Sequence, residues 1–434
     1  MKVAFTTLGC RTNQQDTAEM ATVLAKEGFS IVDAHETADV YVVNTCTVTA
    51  NSDRQSRLAV KKSLAINDKA LVVFTGCYAQ MNPEESLALP GMDIVLGNAN
   101  KLEIAAAIKN RLRSQRPEAA ELRMTDITRK REFNTIPVTD FNGKSKAFIK
   151  VQTGCDEKCS FCTVVHARGS SISESRRNIL HNIRQAVDSG YKEITLTGIN
   201  LGTYGMDKDE TFSSLVAEIL DMTGNFRVRI SSINPMEIDG RLIQLMAGND
   251  KLCPHLHIPL QSGDDQILSR MRRNYNARQY EDVVQKAVDA VAGLGLGADI
   301  IVGFPGETDA MFENTCKMVE RLPYSYLHVF GYSPRPKTEA VKFKDDIPKK
   351  VKKERNRILT EMAREKSLKF KKLFVGKTLN VLIETTRDAR TGHLKGHSEN
   401  YIQVHTQGDD SLMGQLVPVT VAEVTADRVI GHVA

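Results

Sequence analysis

From its first residue to about residue 340 the chain alternates short apolar runs with longer stretches whose apolar residues recur every three or four positions. In residues 1 to about 110, KVAFTTLGC, DVYVVNTC and ALVVFTGC read as buried strands, and TAEMATVLAKEG and SRLAVKKSLAI read as amphipathic helices after the first two. Strands alternating with helices imply βαβ units and a parallel sheet. Residues 111 to 145 lose that periodicity and gather charge, Pro and Gly, as a linker does. The alternation then resumes through KAFIKVQTG, EITLTGIN, RVRISSI, PHLHIPL, GADIIVGFP and YLHVFGYSP, with helices such as RRNILHNIRQAVDSG and FSSLVAEILDM between them. Six βα units of this kind suggest a full or partial barrel. VKKERNRILTEMAREKSLKFKKLF follows as one helix, and after Gly376 the runs TLNVLIE, NYIQVHT, LVPVTVAEV and RVIGHVA predict a small all-β module.

The expected fold class is therefore α/β. Residues 1–115 form a parallel-sheet domain, 116–144 a linker, 145–340 a partial (β/α)6 barrel, 341–372 a basic helical connector and 373–434 a small β-barrel. Small β-barrels often bind oligonucleotides.

Composition changes this picture in two places. The net charge of +5 hides a local excess, because residues 342–372 carry thirteen Lys or Arg against five Asp or Glu. A stripe of this kind suits the phosphates of RNA, although it also suits a solvated helix face. No apolar run approaches the length of a membrane span, and MKVAFTTLGC lacks the features of a signal peptide, so the expectation is a cytoplasmic protein without a membrane partner.

The eight cysteines change it more. In a reducing compartment they are better read as metal ligands or reactive thiols than as disulfides. Cys155, Cys159 and Cys162 form a C-x3-C-x2-C run with no fourth cysteine or histidine at ligand spacing. His166 lies four positions further on and is read as a neighbouring or substrate-pocket residue. Three thiolates can hold an iron–sulfur cluster and leave one iron open, and an open iron is a reaction site. Cys10, Cys46 and Cys77 each close one of the first three strand runs, 36 and 31 residues apart. In an open α/β sheet the carboxyl ends of the strands share one edge, so these thiols converge there. Cys253 and Cys316 match no ligand spacing and read as core or near-core thiols.

With CSFC at its end, the C-x3-C-x2-C run resembles the signature of the radical S-adenosylmethionine (SAM) enzymes. GCRTNQQD, NTCTVTANSDRQSR and TGCYAQMNPEE resemble the three cysteine motifs of the radical SAM methylthiotransferases, and GHLKGHSENYIQV resembles their RNA-holding TRAM domain. NTCTVT, GCYAQ, RISSINPMEI and HSENYIQV are most similar to the branch of that family acting on N(6)-threonylcarbamoyladenosine beside the tRNA anticodon. VVHARGSSISESR departs from the PYARG pattern of relatives.

The resemblance implies two 4Fe-4S clusters, one on Cys155, Cys159 and Cys162 with SAM on its open iron, the other on Cys10, Cys46 and Cys77. It also implies that Phe161, Thr197, Gly198, Asn200, Ser232, Gln261 and Asp299 bind SAM. The cofactors carry the chemistry, so no side chain is expected to be catalytic in its own right. The implied reaction places a methylthio group on carbon 2 of the modified adenosine, with tRNA, a reducing electron donor and a sulfur source as partners. Arg168, Arg272 and Arg273 are candidates for the threonyl carboxylate. Alternatives are a methylthiotransferase acting on isopentenyladenosine or on a ribosomal protein, a non-catalytic iron–sulfur sensor that binds RNA, and a zinc-binding RNA module.

Overall fold

The computed structural model describes residues 1–434 apart from 115–118, 129–131, 134 and 142. The chain divides into two compact units. The first comprises residues 1–142, 152–174 and 333–341, and the second 143–151, 175–332 and 342–434.

The first unit is built on β1 (Lys2–Thr7), β2 (Ser30–Val32), β3 (Val40–Thr45), β4 (Leu71–Gly76), β5 (Ile94–Leu96) and β6 (Glu121–Arg123), in the order β2-β1-β3-β4-β5-β6. Every pairing in this sheet is parallel. Strands β3 and β4 are buried along their whole length, which is why they read as continuous apolar runs. Val42, Val73, Ile94 and Leu96 pack with Met20 and Leu24 of the helix Arg11–Lys26, while Val43, Val72 and Phe74 pack with Ala59 and Val60 of the helix Ala50–Ile66. The short β2, β5 and β6 escaped the sequence pattern because three residues cannot display a period. β6 lies inside the stretch expected to be a linker, where Ile94 pairs with Glu121, so residues 121–123 close the sheet edge instead. Part of that linker lies outside the described residues.

After β7 (Ala147–Lys150), which belongs to the second unit, the chain returns to the first for β8 (Gln152–Thr153) and β9 (Ile172–Ser173), an antiparallel pair flanking the C-x3-C-x2-C loop. Residues 152–174 and 333–341, expected within the barrel domain, thus fold with the N-terminal sheet.

The second unit continues with β10 (Glu193–Thr197), β11 (Arg227–Ile230), β12 (His255–His257), β13 (Gly295–Val302) and β14 (Tyr326–Gly331). Sheets β11-β10-β7 and β12-β13-β14 are both parallel, and a single bridge, Ser232↔His257, links the end of the first to β12. Ile194, Leu196, Val228, Ile230, Leu256, Leu296, Ala298 and Ile300 are fully or almost fully buried on one face. The register puts Glu193, Arg227, Arg229, His255, His257 and Asp299 on the other. An apolar outer face under helices and a polar inner one is the pattern of a partial (β/α)6 barrel, the architecture expected.

The chain ends in a closed barrel of β15 (Thr378–Ile383), β16 (Leu394–His397), β17 (Gln403–Thr406), β18 (Leu416–Val424) and β19 (Val429–Val433), in the order β15-β16-β17-β19-β18. Its Lys- and Gly-bearing β16 has no counterpart among the expected strands. This barrel sits against the polar face of the same unit. Arg227 donates to the Asn380 and His397 carbonyls at 2.6 and 2.8 Å, and Arg229 to those of Glu399 and Ser398 at 2.8 and 2.9 Å. Glu193, fully buried, accepts from both guanidiniums. Burial alone would push its carboxyl up, but Arg229 and Arg227 hold it well below the usual carboxylate range.

Candidate active site

Each thiol of the first group sits where a strand hands over to a helix. Cys10 is the N-cap of the helix Arg11–Lys26, Cys46 follows β3, and Cys77 opens the short helix Cys77–Met81 after β4. The turns are tight. Gly76 has φ +99°, and a Cβ there would collide with the Thr45 backbone; a Cβ on Gly9, at φ +93°, would lie 2.9 Å from Cys46 Sγ. Topology therefore brings three thiols from distant positions together, and all three are free. Burial pushes Cys46 up to about 11, and Cys77 and Cys10 add to that rise.

A buried charge cluster lies beside these thiols. Asp16 Oδ2 accepts from Lys101 Nζ at 2.6 Å and from Arg168 at 2.8 Å, and Arg168 also donates to Asn13 Oδ1 at 2.5 Å. Burial opposes the charge on Arg168, but Asp16, then Cys77 and Cys10, more than restore it. Lys101 is lowered by burial, with Asp16 acting against the fall. Two cations and one anion leave a net positive charge next to the thiol group. Arg168 Nε, Asn44 Oδ1 and Asn98 Oδ1 are buried without a hydrogen-bond partner among the described residues. Three soft sulfur donors, a neighbouring positive charge and orphaned polar atoms fit an iron–sulfur cluster, whose thiolates need compensation.

The second group lies in the loop between β8 and β9. Gly154, at φ +73°, turns the chain so closely past the Ser170 carbonyl that no Cβ fits. Cys155 N donates to the Gly169 carbonyl at 3.0 Å, and Gln152 Nε2 holds both the Gly154 carbonyl and Ser171 Oγ at 2.8 Å. Cys162 N donates to the Cys159 carbonyl, and Val164 N to Cys162 Sγ at 3.5 Å. Burial pushes Cys155 up to about 12, and Cys162 and Cys159 also raise it. These donors fit a cluster by the same chemistry. Phe161 sits between the last two thiols, half-buried, and His166 is exposed on the helix Val164–Arg168.

The segment 333–341 ties the two cysteine loops together, and sequence reasoning missed it. Arg335 donates to Thr47 Oγ1 at 2.8 Å and Asp53 Oδ2 at 2.5 Å, just beyond Cys46; Ala340 N donates to the Ser160 carbonyl at 2.7 Å, between Cys159 and Cys162. The only trace in the sequence is an arginine between two prolines in SPRPKTEA.

The remaining residues expected to bind SAM belong to the second unit. Thr197 ends β10 with Gly198 and Asn200 just beyond it, exposed Ser232 follows β11, and Gln261 follows β12 with φ +64°. These are carboxyl ends of successive strands, the position from which such barrels present functional groups. Asn234 Nδ2 donates to Asn200 Oδ1 at 2.8 Å, and Arg273 in turn donates to Asn234 Oδ1 at 2.6 Å. Asp299 lies within β13 and is engaged by His257 and His328. Cys253 is buried and Cys316 half-buried, each raised chiefly by burial.

Two family models match the chain: "Uncharacterized protein family UPF0004" over residues 2–97 and "Radical SAM superfamily" over residues 149–319. Over nearly its whole length it is similar to the threonylcarbamoyladenosine tRNA methylthiotransferase MtaB of Aquifex aeolicus, at 38% identity covering 97% of this chain and 100% of that protein. It is 35% identical to the protein of that name from Bacillus subtilis, covering 96% and 93%. The tRNA-2-methylthio-N(6)-dimethylallyladenosine synthase of Clostridium botulinum is 33% identical, covering 98% and 95%. Among solved structures, the radical SAM methyltransferase TsrM of Kitasatospora setae shares the fold, with a TM-score of 0.54 at 15% identity over 76% of this chain and 72% of that one.

Proposed function

We infer the function from the premise that this chain belongs to the radical SAM methylthiotransferase family, in its MtaB branch: it is an enzyme that places a methylthio group on carbon 2 of N(6)-threonylcarbamoyladenosine in tRNA. The observation that carries this reading is the pair of three-thiol groups within one compact unit, Cys10, Cys46 and Cys77 with Cys155, Cys159 and Cys162. One open site would serve many radical reactions. Two serve a reaction that both activates a C–H bond and delivers sulfur.

Cys155, Cys159 and Cys162 would hold the 4Fe-4S cluster to which SAM binds, and Cys10, Cys46 and Cys77 a second one. A cluster carrying SAM supplies the one-electron chemistry that opens a C–H bond beyond the reach of acid–base groups. The protein's own part is to position and to compensate charge. Lys101 and Arg168, with Asp16 between them, offset the negative charge of the Cys10 group. Arg335 and the Ala340 amide hold the two cysteine loops in place, which fixes the thiols before any cluster is loaded. Phe161, Thr197, Gly198, Asn200, Ser232 and Gln261 would contact SAM, whereas Asp299 has both carboxylate oxygens on His257 and His328.

The chemistry also requires a reducing electron donor and a source of sulfur. The tRNA substrate puts the reaction in the cytoplasm. No helix among the described residues is long and apolar enough to cross a membrane. Nucleoside mass spectrometry of bulk tRNA from cells lacking this protein, with and without complementation, tests the reading. Loss and recovery of 2-methylthio-N(6)-threonylcarbamoyladenosine is the expected result. An unchanged level of that nucleoside would refute the substrate and turn attention to isopentenyladenosine.

A further inference from the structure

The inner face of the second unit carries a group of side chains that thiol chemistry does not explain. Asp299 Oδ1 accepts from His328 Nδ1 at 3.1 Å, and Asp299 Oδ2 lies 3.2 Å from His257 Nε2. Tyr326 OH lies 3.1 Å from His257 Nδ1 and 2.9 Å from His255 Nε2. Both nitrogens of His257 are therefore committed. His328 differs, because β14 is an edge strand and its side chain remains 55% exposed. No described residue is hydrogen-bonded to its Nε2. Phe330, two residues further along the same face, meets His328 edge to face with centroids 6.4 Å apart and is itself 42% exposed.

Asp299 fixes the ring of His328 through Nδ1, which turns Nε2 to the open side of the strand, where a bound anion would favour the charged ring. An exposed aromatic ring beside it suits a planar base. Together they make a subsite for a ligand that joins a flat ring to an anion. The substrate proposed above has that form, since its N(6) substituent ends in a carboxylate. Resting on that reading, we propose that His328, oriented by Asp299, binds the threonyl carboxylate of the substrate nucleoside, with Phe330 against its planar part.

The arginines suggested by the sequence are placed differently. Arg168 is buried on Asn13 and Asp16, Arg273 is held by Asn234, and Arg272 is exposed at φ +57° after the helix Asp265–Arg270. A divalent cation is the competing occupant, because donor atoms of His257, Asp299 and His328 lie within 4.8 Å of one another. The facing geometry argues against it. Both carboxylate oxygens already face an imidazole nitrogen, at 3.1 and 3.2 Å, so a cation would have to displace the contacts that orient His328.

The test compares anaerobically reconstituted holoenzyme with two anticodon stem-loop RNAs, one bearing threonylcarbamoyladenosine and one bearing its methyl ester. The wild-type protein is expected to bind the free acid about tenfold more tightly, as a charge-assisted contact does. His328→Gln keeps a polar side chain without the charge and brings the ratio close to one; Asp299→Asn lowers it part of the way. A His328→Gln protein with an undiminished acid preference overturns the proposal. So does one divalent ion per chain, beyond the cluster iron, that this variant loses. If wild-type protein prefers the acid yet forms no methylthio product from either RNA, the proposed reaction fails and the subsite stands. Equal binding of both RNAs together with methylthiolation sinks the subsite and leaves the reaction.

Discussion

Arg168 and Asp16 are 152 residues apart and meet at 2.8 Å in the interior of the first unit. Asp16 stands in the helix that follows Cys10, and Arg168 closes the helix that follows Cys162. One ion pair thus fastens the element behind one thiol group to the element behind the other. With Lys101 on the same carboxylate oxygen, Asp16 compensates two buried cations.

Replacing Asp16 by Asn keeps the shape and takes from the buried Arg168 and Lys101 the carboxylate that pairs with both. Removing one partner from a buried ion cluster costs about 3–5 kcal/mol. Urea unfolding should show that loss, and adding Lys101→Met to the variant should recover part of it. An unfolding midpoint equal to wild type would show that the cluster carries no structural load.

Gly154→Ala should separate the two cysteine groups. At φ +73° an alanine costs about 1–2 kcal/mol through its backbone alone, and its Cβ would also collide with the Ser170 carbonyl. The loop bearing Cys155 should lose its shape while Cys10, Cys46 and Cys77 keep theirs. Iron analysis after anaerobic reconstitution should give about eight irons per chain for the wild type, two full clusters, and about four for the variant. Eight irons in Gly154→Ala would mean that the turn is not required for cluster binding.

Glu193 predicts a pH dependence. Its folded pKa lies below its unfolded one, so the unfolded chain takes up the proton first as pH falls. The stabilisation is complete above the unfolded value of about 4.3 and drains away below it. Glu193→Gln should cost about 3–5 kcal/mol at pH 7, since Arg227 and Arg229 would stay buried. Its stability should then fall less than that of the wild type between pH 5 and pH 3. Parallel acid titrations of the two proteins would count against this role for Glu193.

The basic helix Lys349–Lys372 offers RNA less charge than its composition suggests. Arg355 is taken by Glu307 and Asp309, Arg357 by Glu354 and Glu361, and Lys352 by Asp345. Lys349, Lys350 and Lys353 are exposed near its N-terminus, where cations oppose the helix dipole and add nothing to helix stability. Changing all three to Ala should leave unfolding unaltered, weaken tRNA binding and reduce the slope of log K against log salt by up to about 3. An unchanged slope would take this end of the helix out of the RNA contact.

Much of the architecture is legible because burial on both faces forces continuous apolar runs. VYVVNT and LVVFTG announce a parallel sheet without any knowledge of its neighbours. The three-residue strands and Lys-bearing β16 are not legible, since their pairing depends on partners far along the chain. The six cysteines could be singled out because their spacing, or their place at strand ends, is written locally. Arg335 could not, since nothing near it foretells a bond to Asp53, 282 residues earlier.

The sequence by itself determined the α/β class, the order of the elements and the two groups of three thiols, because helix period, strand burial and ligand spacing are local properties. Tertiary structure alone decided that 152–174 and 333–341 fold with the N-terminal sheet, that Arg168 is an interior counter-ion, and that Asp299 meets His257 and His328. Register and docking set those relations. A buried charge settles on whichever opposite charge the packing of remote segments supplies, and the pattern along the chain does not contain that partner.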